Sequence, residues 1–197
     1  FTLKDDANYT KDFENEFNKN RLIKHVILLK ELNMTQYSKD IIKHLASLNI
    51  EAGSEVLAAK LSTKIERYDF AIQISKQASY KKRFYLQYNY PIINTPKIIN
   101  EKQMPNAELI LSIIRQESEF DREANSYVGA KGMMQLMKYT AKLVAKQAGL
   151  PYSISGLTKD PEYNIKLGSY YFKSLLNQYD GVFPFAIAAY NAGPNRV

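Results

Sequence analysis

Apolar residues recur at about every third or fourth position along nearly the whole chain, the spacing of helices that bury one face. Alternating strand patterns are missing, apart from a Tyr/Phe-rich stretch over 84–90 that reads either way. Phe13 and Phe17 mark a first amphipathic segment. Ile23, Val26, Ile27 and Lys30 mark a second, with Leu29 flanking. Thr35 stands as an N-cap before Ile41, Ile42, Leu45 and Leu48. Val56 to Ile65 and Tyr68 to Ser75 give two more. The stretches 22–48 and 56–75 each resemble a helix pair joined by a short turn, the unit that stacks into a curved α-solenoid. No strict repeat period runs through them.

The pattern changes over 91–105, where Pro91, Pro96 and Pro105 punctuate Ile92, Ile93, Ile98 and Ile99. This predicts an extended connector between a helical region over 1–90 and a second domain over 106–197. Asn106 caps a helix over 107–120. A loop over 121–132, with Gly129 and Gly132, leads to a helix that runs to about Ala148 and stops at Gly149, with Pro151 beyond. Asp160-Pro161 is a helix start, a cap followed by proline in the first turn. That helix runs to about Tyr179 and ends at Asp180-Gly181. A short last helix follows Pro184 and ends around 191–193, before Pro194. The fold class expected is all-α, with an α-solenoid-like N-terminal region.

One position breaks the hydrophobic pattern. With residues about 100° apart, Ile110, Ile113 and Ile114 define one face of the 107–120 helix, and Glu117 falls in the middle of it. Glu108 and Glu119 point the other way. Carboxylates are rarely buried without a reason. Desolvation raises the pKa of a carboxyl and makes it a proton donor near neutral pH. The pattern nominates Glu117 as a general acid. A glutamate at the rim of the core, paired with Arg115 or Arg122, would give the same pattern.

Composition narrows the chemistry. The chain has 197 residues with 45% apolar and 24% charged, enough for a core that closes without staples. It has no cysteine and 2 histidines, His25 and His44, both far in sequence from Glu117. That disfavours thiolate metal sites, His-based zinc sites and a Ser-His-Asp triad. The net charge of +7 suits an anionic partner such as nucleic acid, acidic lipid or peptidoglycan, and equally a solvated lysine-rich surface. No recognised nucleic-acid reader motif appears. No apolar run reaches the about 20 residues of a membrane helix. The chain starts at Phe1 without methionine or signal peptide and stops at Val197 directly after a motif, so both ends read as cuts in a longer polypeptide.

Three segments combine with this glutamate: Glu117-Ser118; Ser126-Tyr-Val-Gly-Ala-Lys-Gly-Met-Met-Gln135-Leu-Met137; and Ala189-Tyr190-Asn191-Ala192-Gly193-Pro194. Each alone reads equally well as a turn or as core packing. In this order and spacing they resemble the catalytic domain of the soluble lytic transglycosylases. That family shows a Glu-Ser pair, then Ser-x-x-Gly-Ala-x-Gly-Leu-Met-Gln, then Ala-Tyr-Asn-Ala-Gly. Met133 stands at the leucine position, and Lys138 stands where the family often has proline. The resemblance covers 105–197, and 68–96 resembles the end of the helical superstructure that precedes the catalytic domain.

The resemblance implies a lysozyme-like helical domain that cleaves the bond between N-acetylmuramic acid and N-acetylglucosamine with one carboxyl, Glu117, as acid and then base. The muramyl C6 hydroxyl closes on C1 and gives a 1,6-anhydro product. Tyr190 would bond Glu117 or the substrate N-acetyl group. Gln135 and Ser126 would bind sugar amides and hydroxyls, and Met137 would line the groove. Asn191 would bind substrate or brace its loop, and Ser118 would cap the helix or touch glycan. Gly129, Gly132 and Gly193 serve the backbone. No metal or organic cofactor is implied. The partners implied are peptidoglycan glycan strands in the periplasm or cell envelope of a bacterium, with other cell-wall enzymes as a further partner class. Nucleic acid is not among them. The N-terminal helices would guide glycan strands or serve as a protein-docking solenoid. Family domains continue past the Tyr-Asn-Ala-Gly segment with further helices, so the domain is expected to be truncated at Val197 and its groove wall completed beyond it. A goose-type lysozyme-like muramidase shares fold and single glutamate and differs in product. A non-catalytic glycan-binding scaffold is disfavoured by the presence of Glu117, Gln135 and Tyr190 together.

Overall fold

The computed structural model describes residues 4–94 and 105–197; most of the connector expected over 91–105 therefore lies outside the described residues. The chain divides into two compact units, Phe1–Ile92 and Ile93–Val197. Both are helical, and among the described residues the only extended pairings are isolated bridges in one loop.

The first unit contains α1 (Lys11–Asn18), α2 (Arg21–Glu31), α3 (Lys39–Ser47), α4 (Ser54–Lys64), α5 (Tyr68–Tyr80) and α6 (Leu86–Asn89). Side-chain caps start the first two: Thr10 Oγ1 accepts from Phe13 N at 3.2 Å, and Asn20 Oδ1 accepts from Leu22 N at 3.0 Å. Each helix packs on its chain neighbour from α2 to α6, and α1 lies on α4. The central helix α4 is buried on nearly every side, with Val56, Leu57, Ala58, Ala59 and Leu61 in the core beside Val26, Leu45, Phe70 and Ile74. Burial of each large apolar side chain contributes about 1.5–3 kcal/mol. The segment over 84–90, ambiguous in sequence, forms the single turn of α6.

Thr35 does not cap α3. The chain first makes a 3₁₀ turn, Thr35–Ser38, and Ser38 precedes α3 with no side-chain cap bond. The tighter turn carries the Thr35 side chain into the core, where its hydroxyl meets no partner among the described residues.

The second unit contains α7 (Ala107–Ser118), α8 (Lys138–Gln147), α9 (Gly156–Lys159), α10 (Pro161–Gln178) and α11 (Phe183–Ala192). Asn106 and Asp160 cap α7 and α10, accepting from Leu109 N and Tyr163 N at 3.0 Å each. The long helix α10 is the axis on which α8, α9 and α11 pack. Leu136, Ala141, Val144, Leu157 and Leu167 fill the space between them. The helix α7 ends two residues earlier than its periodicity suggests. Glu119 and Phe120 both turn left-handed, with φ of 53° and 66°. Glu119 therefore leaves the helical face assigned to it and sits half-buried, 3.5 Å from Arg115.

Candidate active site

The apolar stripe of α7 is buried at Ile110, Ile113 and Ile114, and Glu117 continues it half-buried. Burial alone raises its carboxyl above the ordinary 4.5. Neither Arg115 nor Arg122 pairs with it, and among the described residues the carboxylate makes no hydrogen bond or ion pair. It is a desolvated acid with nothing to hold its charge.

The loop from 121 to 137 folds back beside the end of α7. Lys131 and Leu136 exchange both backbone hydrogen bonds at 3.0 Å, closing a tight turn over Gly132–Gln135. Gln135 holds φ at 47°, and its amide group donates to the carbonyls of Gly132 at 2.8 Å and Ala124 at 3.4 Å. Among the described residues its amide oxygen accepts no hydrogen bond. Ser126 closes a smaller turn by accepting from Ala130 N at 2.9 Å, which leaves its hydroxyl hydrogen to donate elsewhere. Met137 ends the loop 43% exposed.

Side chains from three helices clamp this loop. Ser118 donates to the Met133 carbonyl at 2.8 Å, with the Ile114 carbonyl at 3.3 Å as a second acceptor, so it ties the end of α7 to the loop. Tyr190, from α11, donates to the Met134 carbonyl at 2.7 Å rather than to Glu117. Its ring packs on Tyr171 and Phe172 of α10, with centroids 5.3 and 6.0 Å away. Burial lifts the Tyr190 phenol well above its usual 10.0, and the charges of Glu117 and Tyr171 add to that. The carboxylate and the phenol are thus electrostatic neighbours. Asn191 is exposed and makes no side-chain hydrogen bond among the described residues, so it does not brace the loop as expected.

The third clamp is Asn164 on α10, which the sequence reading missed. It is 0% exposed and accepts from Met134 N at 2.8 Å while donating to the carbonyls of Lys131 and Leu157 at 3.0 Å each. The signal that could have found it is the one that found Glu117. Asn164 is a polar residue heading the apolar stripe Leu167, Tyr171 and Leu175. Gly168 on the same face opens the notch that takes Met134, and a Cβ there would collide with the methionine side chain. Among the described residues no three His, Cys, Asp or Glu side chains gather as a metal site, and no helix is long and apolar enough to cross a membrane.

The site lies in the part of the chain that known proteins share. The family model described as Transglycosylase SLT domain matches residues 95–197. The soluble lytic murein transglycosylase of Escherichia coli is 38% identical over 118 residues, 59% of this chain and 18% of that protein. That of Salmonella typhimurium is 42% identical over 88 residues, 44% of this chain and 14% of that protein. The lytic transglycosylase Slt of Pseudomonas aeruginosa, solved as an inactive glutamate-to-glutamine mutant, superimposes with a TM-score of 0.72 at 27% identity, covering 98% of this chain and 31% of that one. The 70 kDa soluble lytic transglycosylase of Escherichia coli shares the fold, with a TM-score of 0.75 at 23% identity over 100% of this chain and 32% of that one. The all-α expectation holds. The chain spans less than a fifth of the length of these sequence relatives and about a third of the solved structures.

Proposed function

This chain belongs to the transglycosylase SLT domain family, and from that premise we propose that it carries the active site of a lytic transglycosylase acting on peptidoglycan in the bacterial periplasm or cell envelope. Glu117 is the acid and the base of the reaction. Protonated, it gives its proton to the oxygen linking N-acetylmuramic acid to N-acetylglucosamine. The substrate's own N-acetyl oxygen supports the cationic C1 that results, so no second protein carboxylate is required. Glu117, now a carboxylate, takes the proton of the muramyl C6 hydroxyl. The C6 oxygen bonds C1, and the glycan leaves with a 1,6-anhydro end and no water consumed.

The observation that carries this reading is the half-buried Glu117 carboxyl, without a hydrogen-bond or ion-pair partner among the described residues and with a pKa raised by desolvation. Burial that raises the pKa of a carboxyl favours its protonated, donating form, and a group with no resident cation can take the proton back. The other side chains receive roles that fit their free atoms. The Gln135 amide oxygen and the Ser126 hydroxyl hydrogen are available to sugar amides and hydroxyls. Met137 offers an exposed thioether to a sugar face, and Asn191 an exposed amide. Tyr190, its hydrogen spent on Met134, keeps lone pairs for a substrate N–H or O–H. Ser118 acts by tying Glu117's helix to the loop. The helices of residues 4–92 guide the glycan strand, and their lysines suit an anionic polymer.

The test is mass spectrometry of muropeptides released from purified sacculi by the full-length protein that contains this chain. Products ending in 1,6-anhydromuramic acid are expected. Products ending in reducing muramic acid would replace transglycosylation by hydrolysis, and no released product would reject the enzyme reading.

A further inference from the structure

We infer that Asn164 is a positioning residue for this reaction: through the backbone of Met134, on either side of its Cα, it sets where the Tyr190 hydroxyl stands beside Glu117. The inference rests on the reading of Glu117 and Tyr190 as partners in the reaction.

The residues Met133 and Met134 form a bracket. The Met133 carbonyl takes the hydroxyl of Ser118, the residue next to Glu117. The Met134 carbonyl takes the hydroxyl of Tyr190. The Met134 N–H is held by Asn164 Oδ1 at 2.8 Å. Tyrosine and asparagine thus grip one residue from opposite ends, and a rotation of the Met134 backbone that breaks one bond misaims the other.

The asparagine amide suits this post by its atom count. It must accept once and donate twice, to Lys131 and Leu157, within a fully buried volume. Neutral asparagine does this with a planar group of fixed geometry. Aspartate lacks the donors, leucine lacks every polar atom, and glutamine places the amide one carbon too far. The fold clears space around the post. A Cβ at Gly132 would collide with the Asn164 amide and the Leu157 carbonyl, and one at Gly168 would collide with Met134. A buried amide with all three of its bonds pointed at the catalytic loop and its support on α9 leaves the loop one position, and with it the tyrosine.

Two measurements test this on the full-length protein. In the first, kcat and KM are compared for the wild type, Asn164→Ala, Tyr190→Phe and the double variant. Asn164→Ala is expected to lower kcat by about tenfold or more with KM within about threefold, and to lower kcat by under about twofold once Tyr190 is phenylalanine. An equal loss in both backgrounds overturns the inference, because a loop support that acts independently of the tyrosine would cost the same in each. In the second, Tyr190→Phe is examined by NMR at the Asn164 side-chain amide. Faster hydrogen exchange and a moved resonance are expected, since coupling between two sites is reciprocal. An unmoved signal overturns the inference. This arm keeps Asn164 intact and needs no substrate, so it decides the question even where Asn164→Ala does not fold or the transglycosylase reading fails.

Discussion

In residues 4–92 two carboxylates are buried and both are fully met. Glu55, 8% exposed, accepts two bonds from Arg83 at 2.9 and 3.0 Å and one from the Tyr85 hydroxyl at 2.8 Å. Asp69, 3% exposed, takes a forked pair of bonds from Arg67 at 2.6 and 2.8 Å. In residues 105–197 Glu117 is half-buried on an apolar stripe and has no hydrogen-bond or ion-pair partner among the described residues. The same functional group thus receives opposite treatment within one chain. Where a carboxylate serves the fold, cations and hydroxyls arrive to stabilise its charge. At the carboxyl proposed to serve chemistry, no such partner arrives among the described residues, and burial favours its protonated form. Pairing marks architecture here, and its absence is what sets the proposed acid apart.

Glu117→Gln tests the site side of this contrast and carries the largest expected effect. The substitution keeps shape and removes the proton. Turnover of sacculi is expected to fall by about a thousandfold, within the range known for general acid–base groups. Circular dichroism and glycan binding are expected to stay unchanged. Activity near the wild-type level would end the assignment of Glu117.

Asp69→Ala tests the architectural side. It removes both bonds from a buried guanidinium that also stacks on the Phe70 ring, 3.9 Å from its centroid. A loss of about 3 kcal/mol in urea denaturation is expected, with kcat unchanged in protein that remains folded. A loss below about 0.5 kcal/mol, the value of an exposed pair, would remove the distinction drawn between the two regions.

The sequence discloses these two kinds of carboxylate unequally. Glu117 is legible because a helix repeats, and one polar residue on its apolar stripe stands out without any knowledge of tertiary structure. Helix starts at Asn106 and Asp160 are legible for the same local reason, since a cap and its N–H partner lie three residues apart. The clamps are not, because Tyr190 reaches Met134 across 56 positions and Asn164 reaches it across 30. The Glu119 reading fails where the helix does. Periodicity has no meaning past Ser118, and two left-handed residues redirect the chain. The motif resemblance brought the distant residues together in one list, but only the fold shows that Ser118, Asn164 and Tyr190 all grip one dipeptide.

The acidity of Glu117 sharpens the comparison through pH. Its folded pKa lies above the ordinary 4.5, so the unfolded chain loses this proton first as pH rises. Below the unfolded value both states hold the proton and the group costs nothing. As pH climbs through 4.5 and then through the raised folded value, stability is lost, and the loss is complete above it. Glu117→Gln is therefore expected to gain stability over the wild type between acid and neutral pH, and to match it below about pH 4. Paired urea titrations at several pH values measure this. A variant less stable than wild type at pH 7 would mean that the carboxylate has a partner in solution. The same titration is expected to give activity a falling alkaline limb, as the proton needed for the first step is lost.

The smallest effect concerns a buried hydroxyl instead of a carboxylate, and it asks whether the pairing seen for Glu55 and Asp69 extends to the hydroxyl of Thr35. The hydroxyls of Ser54 and Ser62 are paired, donating to the carbonyls of Ala46 at 2.6 Å and Ala58 at 2.8 Å. The Thr35 hydroxyl lies in the same core with no partner among the described residues. Valine has the same shape and the same branched Cβ, so it fits the 3₁₀ turn and exchanges an unmet polar atom for a methyl group. Thr35→Val is expected to stabilise the protein by about 1 kcal/mol, whereas Ser54→Ala is expected to cost about 1 kcal/mol. If Thr35→Val also costs stability, the hydroxyl is paired in solution. The Thr35 hydroxyl then joins those of Ser54 and Ser62, and the carboxyl of Glu117 stands out the more sharply against the paired Glu55 and Asp69.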